Sequence, residues 1–376
     1  MPTLPDFRLE TYFSRWEFSA RYHLTASDAE TIAVSELLEL ADDDGRRRWE
    51  TLALGYTETR GLPALREEIA RTYDGVVPAD VVCFAGAEEA LYLAMHALLE
   101  TGDHAVVVTP NYQAAETIPL SICEVTGVAL VASSNWMLDV DAVERALRPN
   151  TRLVSVNFPN NPTGAVPELA DWLRLVRLCD DRGITLFSDE VYRGLELDRE
   201  PLPQATDLSA TAVSLNVMSK AYGLPGLRLG WIACRDHALL DKLERAKHYT
   251  SICNSAPSEI LALIALRARD QLLDRNRGIV AANLPLFEEF FGRYPELFEF
   301  ARPQGGCVCY PRYLGADGVE AMCTRLVEEA GVLLLPSRIY RSELTSTPAD
   351  RFRVGVGRRA PQEALARWAA WLEQRS

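Results

Sequence analysis

The sequence predicts an α/β fold, with a large unit built on a mostly parallel sheet and a smaller α+β unit beside it. Three observations lead there. Short apolar runs recur at 81–86, 104–110, 127–134, 153–159, 184–192, 211–220 and 227–235, and amphipathic stretches such as EEALYLAMHALLE and ELADWLRLVRLCDDRG lie between several of them. Near-continuous apolar strands with helices between them indicate a sheet covered on both faces. After about residue 280 the pattern changes, to FEFARPQGGCVCYPRY, then ADGVEAMCTRLVEEAG, VLLLPS and RFRVGVG, and a closing helix from Pro361. The chain's 376 residues also exceed the length at which single cores stop growing, about 250–300 residues. The expected division is a large unit over 45–280 and a small one formed by 1–44 with 281–376.

Composition excludes several function classes. The net charge is −14, from 39 basic and 53 acidic residues, and such a surface argues against nucleic acid and anionic membrane, which need clustered Lys and Arg. The cluster Arg46–Arg48 follows Asp42–Asp44 and reads as a solvated turn. No apolar stretch approaches the roughly 18–20 residues that span a bilayer. The start, MPTLPDFRLETYF, lacks the basic and apolar regions of a secretory signal, so a cytoplasmic location is expected. Eight cysteines are scattered without CxxC spacing, which suits buried free thiols in a reducing compartment. The five histidines form no ligand pair, so no metal is expected.

In open α/β sheets, ligands bind beyond the carboxyl ends of the strands. Polar residues gather at those ends. The run 81–86 ends in Gly86-Ala87-Glu88 and opens a helix, whose first N–H groups suit a phosphate. The run 104–110 is followed by Asn111-Tyr112, and the run 153–159 by Asn160-Asn161-Pro162-Thr163-Gly164. Asp189 and Tyr192 lie on the fifth run, and Ser219-Lys220 close the sixth.

NNPTG, then SDEVY about 25 residues on, then SK with an arginine eight residues later, is a specific combination. It resembles the aspartate aminotransferase superfamily, the fold type I enzymes that use pyridoxal 5′-phosphate (PLP), over roughly residues 50 to 360. The chemistry fits residue by residue. Such an enzyme needs an amine to hold the cofactor's aldehyde and to move a proton at Cα, and Lys220 is the candidate. The cofactor ring withdraws electrons only while its nitrogen stays protonated, which a buried carboxylate ensures, and Asp189 fits that role. The phosphate calls for N–H groups, hydroxyls and a cation, which Ala87, Glu88, Ser219 and Arg228 offer. The resemblance further implies that Tyr192 and Asn161 hydrogen-bond the cofactor's phenolic oxygen and that Tyr112 stacks on its ring. It implies that Tyr56 crosses a homodimer interface to the partner's phosphate. It makes Arg353 the clamp on the substrate α-carboxylate, with its neighbour Arg351 as the alternative.

Two departures from the family pattern bear on function. A second serine three residues before the lysine is replaced by Val217. The N-terminal segment, FRLETYFSRWEFSARYHLTASDAETIAVSELLEL, is rich in aromatics and acids, among them Tyr12, Trp16, Glu17, Tyr22, Asp28 and Glu30. In this fold that segment lines the substrate mouth, so Glu17, Asp28 or Glu30 is expected to meet a cationic part of an amino-acid substrate. The style of the segment is similar to the branch containing capreomycidine synthase and related arginine-cyclising PLP enzymes. The resemblance therefore implies an α-carbanion formed from an L-amino acid, followed by β- or γ-elimination and replacement (cyclisation or γ-substitution) in specialised biosynthesis. Ordinary transamination to a 2-oxo acid is the alternative, and a catalytically silent PLP-binding regulator is a third.

Overall fold

The computed structural model describes residues 4–375. Its centre is a seven-stranded sheet: β1 (Val81–Phe84), β2 (His104–Thr109), β3 (Glu124–Ala129), β4 (Thr151–Asn157), β5 (Thr185–Asp189), β6 (Val213–Val217) and β7 (Gly230–Cys234). The spatial order is β1-β7-β6-β5-β4-β2-β3. The strands β3, β2, β4, β5 and β6 run parallel, and β7 is antiparallel to both of its neighbours. All seven apolar runs are strands, shifted by a few residues at their ends. Valine and other apolar residues fill β1, β2 and β7 on both faces because helices cover the sheet on both sides. The helix Leu169–Asp181 buries Trp172, Leu175, Val176 and Cys179, the i, i+3, i+4, i+7 face of a surface helix.

Strand register assembles the crevice. Asn157 pairs with Asp189 across β4 and β5, so both stand at the same edge. Gly230 sits opposite both Phe84 and Val217. A Cβ there would lie 3.0 Å from the Ala87 N and the Asn216 O, so only glycine lets the turn into the helix Ala87–Leu98 come this close.

The smaller unit holds a three-stranded antiparallel sheet of Val308–Cys309, Phe352–Gly355 and Leu335–Pro336. Its core is aromatic: Phe287, Phe290, Phe291, Phe298, Phe352 and Trp368 pack together, with Trp368 wholly buried. Removing such a ring costs about 3–5 kcal/mol. The long helix Arg269–Gly292 joins the units, burying Leu272 against the large one and Phe287 in the small one. Near the N-terminus, Tyr22–His23 adds a parallel strand to Val332–Leu333 of the small unit. Leu37 is buried in one core cluster with Leu65, Ile69 and Ile264. All eight cysteines are free, and six of them are buried.

Candidate active site

A cavity of about 740 Å³ opens at the carboxyl edge of the sheet, between the two units. Of the residues singled out by sequence, Ala87, Glu88, Tyr112, Asn161, Asp189, Tyr192, Ser219, Lys220, Arg228, Arg353, Glu17 and Asp28 line it. Gly86 stands at the head of the helix that forms its floor, with φ of 92°, a conformation that glycine adopts without strain. A Cβ on Gly86 would lie 2.7 Å from Nη2 of Arg228, so the guanidinium lies directly against this turn. Arg228 itself holds a left-handed backbone, φ 46°, which is uncommon outside glycine.

Burial pushes the Asp189 carboxyl up to about 6, against the pull of the Val191 N–H at 3.2 Å and of Lys220. A carboxyl so placed lacks a strong cation and is stabilised in its charged form by one arriving. Burial also lowers the Lys220 ammonium below its ordinary range; Asp28 opposes that shift and Arg353 adds to it. The Lys220 Nζ donates to Ser27 Oγ at 2.8 Å. Arg353 is fully buried; its Nη1 donates to Asn161 Oδ1 at 3.1 Å and its Nη2 to the Thr25 carbonyl at 2.5 Å. Arg351 lies elsewhere, donating to the Tyr310 carbonyl at 3.0 Å and stacked over Trp136. Val217, in place of the family's serine, presents an apolar wall.

The site carries unmet polar demand. The hydroxyls of Tyr192 and Ser219 and the Nε of Arg353 are buried without a hydrogen-bond partner among the described residues. Buried polar groups are almost always paired, so three orphans around one cavity indicate a polar ligand. PLP fits this donor set. Ser219, Arg228 and the N–H groups of Ala87 and Glu88 match its phosphate. Asn161 and Tyr192 match its phenolic oxygen, Asp189 its ring nitrogen, Tyr112 its ring face and Lys220 its aldehyde.

The remaining expectations fall differently. Glu30 turns from the cavity, accepting from the Arg359 N–H at 2.7 Å. Asp28 lines the cavity but is already paired with Arg358 at 2.6 Å. Tyr12 packs inward, donating to the Leu334 carbonyl at 3.1 Å, and Tyr22 donates to Glu363 at the surface. Tyr56 is 93% exposed and does not line this chain's cavity. Glu88, expected only through its N–H, also brings its carboxyl; burial, then the nearby Glu10 and Asp189 charges, push it up to about 7.

Sequence reasoning missed Glu10, Ser27, Asn157 and Arg358, which line the cavity, and Tyr340, which donates to Asn161 Oδ1 at 3.2 Å. Glu10, Phe13 and Glu17 share one face of the helix Arg8–Trp16 and its cap, at i, i+3 and i+7, a spacing visible in the sequence. Ser27 and Tyr340 carry no such signal, since they reach the site through partners 193 and 179 residues away, Lys220 and Asn161.

The model of the family "aminotransferase class I and II" matches residues 37–367. The chain is 30% identical to capreomycidine synthase of Streptomyces vinaceus, over 99% of this chain and 94% of that protein. It is 34% identical to the arginine–pyruvate transaminase of Pseudomonas aeruginosa, over 76% and 74% of the two chains. Among solved structures, the PLP-dependent cyclase OrfR superposes with a TM-score of 0.89 at 25% identity, covering 100% of this chain and 99% of that one.

Proposed function

The chain belongs to the class I and II aminotransferase family, whose members depend on PLP, and from that premise we propose that it is an elimination–replacement enzyme acting on an L-amino acid with a cationic side chain. Lys220 takes the α-proton, a β or γ group leaves, and a nucleophile adds back, as in ring closure. The observation that carries this reading is the acid lining: Glu10, Glu17 and Glu88 all face the cavity that holds Arg353, and among the described residues none of the three is in an ion pair.

PLP, when bound, supplies an aldehyde for the substrate amine and an electron sink for the charge left at Cα. The protein supplies the rest. Arg353, held by Asn161 and Thr25, takes the α-carboxylate and fixes which bond at Cα faces Lys220. Burial keeps the Lys220 amine poised to accept a proton. Asp189 stabilises positive charge on the ring nitrogen. At the far end, carboxylates on the helix Arg8–Trp16 and its cap attract a guanidinium or ammonium. Glu88, held near neutral pH, is suited to give a proton to a leaving group. The similarity to capreomycidine synthase and to the cyclase OrfR supports this reading. The active unit is a homodimer in which Tyr56 of each chain reaches the other's site.

The similarity to an arginine–pyruvate transaminase favours transamination of the same substrate class as the second reading. One measurement separates them. Cationic L-amino acids labelled with ¹⁵N at the α position, with and without a β-hydroxyl, are incubated with the enzyme and a 2-oxo acid such as pyruvate as amino acceptor, and the products weighed. A product that has lost the leaving group and kept the label supports elimination–replacement. An unlabelled 2-oxo acid as the main product overturns it.

A further inference from the structure

Residues 24–31 cross the cavity as a strap, and the packing around them is unusually close. The Gly355 N–H donates to the Leu24 carbonyl at 2.8 Å, and the Ala29 N–H donates to the carbonyl of Lys220 itself at 3.1 Å. A Cβ on Gly355 would lie 2.1 Å from the Ala26 carbonyl oxygen, one on Gly357 2.7 Å from that of Asp28, and one on Gly223 2.6 Å from that of Glu30. Three glycines, two on the small unit and one just after the lysine, thus leave room for the strap and for nothing larger. Such close packing fixes side-chain positions to a fraction of an ångström.

We infer that Ser27, carried by this strap, is a positioning residue for Lys220: its hydroxyl receives the amine and fixes where that amine stands whenever it is free. The 2.8 Å bond from Nζ to Ser27 Oγ is the geometry on which this rests. The next residue explains why a hydroxyl holds the seat. Asp28 is taken up by Arg358 at 2.6 Å, so the strap offers its hydroxyl and not its carboxylate to the amine. A carboxylate in direct contact would hold the proton on nitrogen and blunt the amine as a base. A hydroxyl aims the amine and can either accept from it or donate to it. The inference rests on Lys220 being the cofactor-holding amine, and it applies to elimination–replacement and transamination alike.

The chain has only three lysines, at 220, 242 and 247, which makes the test direct. Lys242 is exposed, whereas Lys247 is buried against the Thr59 and Cys83 carbonyls and Asn254. Cofactor-free full-length protein is reductively methylated across a pH series, and each lysine peptide is followed by mass spectrometry. The titratable and charged groups facing Lys220 are Asp28, Asp189, Glu88, Arg353 and the Cys307 thiol, and they are the same in every variant. Removing a hydroxyl that accepts from the ammonium destabilises the charged form. Ser27→Ala should therefore move the Lys220 midpoint down by about one pH unit, roughly a tenfold change in free amine, with Lys242 unmoved. Ser27→Thr should restore it. In the loaded enzyme, kcat of Ser27→Ala should fall roughly tenfold with KM nearly unchanged, because the hydroxyl touches the amine and not the substrate. If the alanine variant fails to fold, Ser27→Thr and Ser27→Val, matched in volume, make the same comparison. Superposable Lys220 profiles in variants with and without the hydroxyl overturn the inference. The product's nitrogen decides the reaction separately, so either idea can fail alone.

Discussion

Asp189 faces opposite demands from the empty and the loaded site. With its carboxyl raised from about 3.8 to about 6, folding takes up a proton between those values. Its contribution to the stability of the cofactor-free chain is therefore fully present below about pH 3.8 and is lost as pH rises through about 6. The two-unit shift corresponds to roughly 3 kcal/mol at neutral pH. Asp189→Asn should thus raise the melting temperature of the cofactor-free protein at pH 7.5 and leave it nearly unchanged at pH 4. The same variant, loaded with PLP, should lose on the order of 10²-fold or more in α-proton exchange, because a neutral amide cannot hold the ring nitrogen charged. Differential scanning calorimetry and deuterium exchange read the two halves, and wild-type exchange in the variant would refute the assignment. Gly86→Ala tests the phosphate end. Its Cβ would fall 2.7 Å from the Arg228 guanidinium at a positive φ, so PLP affinity should drop at least tenfold in a spectroscopic titration.

At the level of elements, the large unit was readable and the N-terminal segment only half so. Strands such as β2 and β7 are buried on both faces, and their apolar composition shows it whatever they pair with. The residues proposed to hold the cofactor sit at strand ends whose local sequence fixes them, as in NNPTG or SK. The N-terminal segment differs because its side chains point where distant packing sends them. Glu17 and Asp28 reached the cavity, but Glu30 was drawn off by the Arg359 N–H and Asp28 by Arg358, partners more than 300 residues away. Helical spacing would have added Glu10 to Glu17; no local rule would have added Ser27. Two predictions belong here. Glu10→Gln and Glu17→Gln should each raise KM for a cationic substrate roughly tenfold while kcat holds, the pattern of lost uniform binding, and the PLP spectrum should stay normal. Constants unchanged in both would reduce the helix to packing. Gly355→Ala should cost about 1–3 kcal/mol or more by pushing its Cβ into the Ala26 carbonyl, and should free the strap from the small unit. Faster amide exchange confined to residues 24–31 would show that; uniform protection would not.

The whole molecule poses the question of Tyr56. Its hydroxyl is assigned to a phosphate, yet the side chain stands 93% exposed and away from its own chain's cavity. Leu54 and Tyr249 are exposed to a similar degree. Singly exposed apolar residues need no explanation, so the exposure of Tyr56 alone does not mark an interface, and the role is tested directly. Nearby Thr57 donates to the Asn254 carbonyl at 3.0 Å, so the loop is anchored while Tyr56 projects from it. The proposed shared site requires a twofold interface that places each Tyr56 at the partner's cavity. Complementation tests this without a structure of the dimer. Protomers carrying Tyr56→Phe are mixed with protomers carrying Lys220→Ala under conditions of subunit exchange. If the sites are shared, each heterodimer has one site bearing both lesions and one bearing neither. A statistical mixture is half heterodimer, so activity should return to about a quarter of wild type, above the average of the two parents. If Tyr56 serves its own chain, each site in the heterodimer keeps one lesion and mixing yields only that average. Exchange verified by mass and no gain in activity would return Tyr56 to the surface of its own subunit.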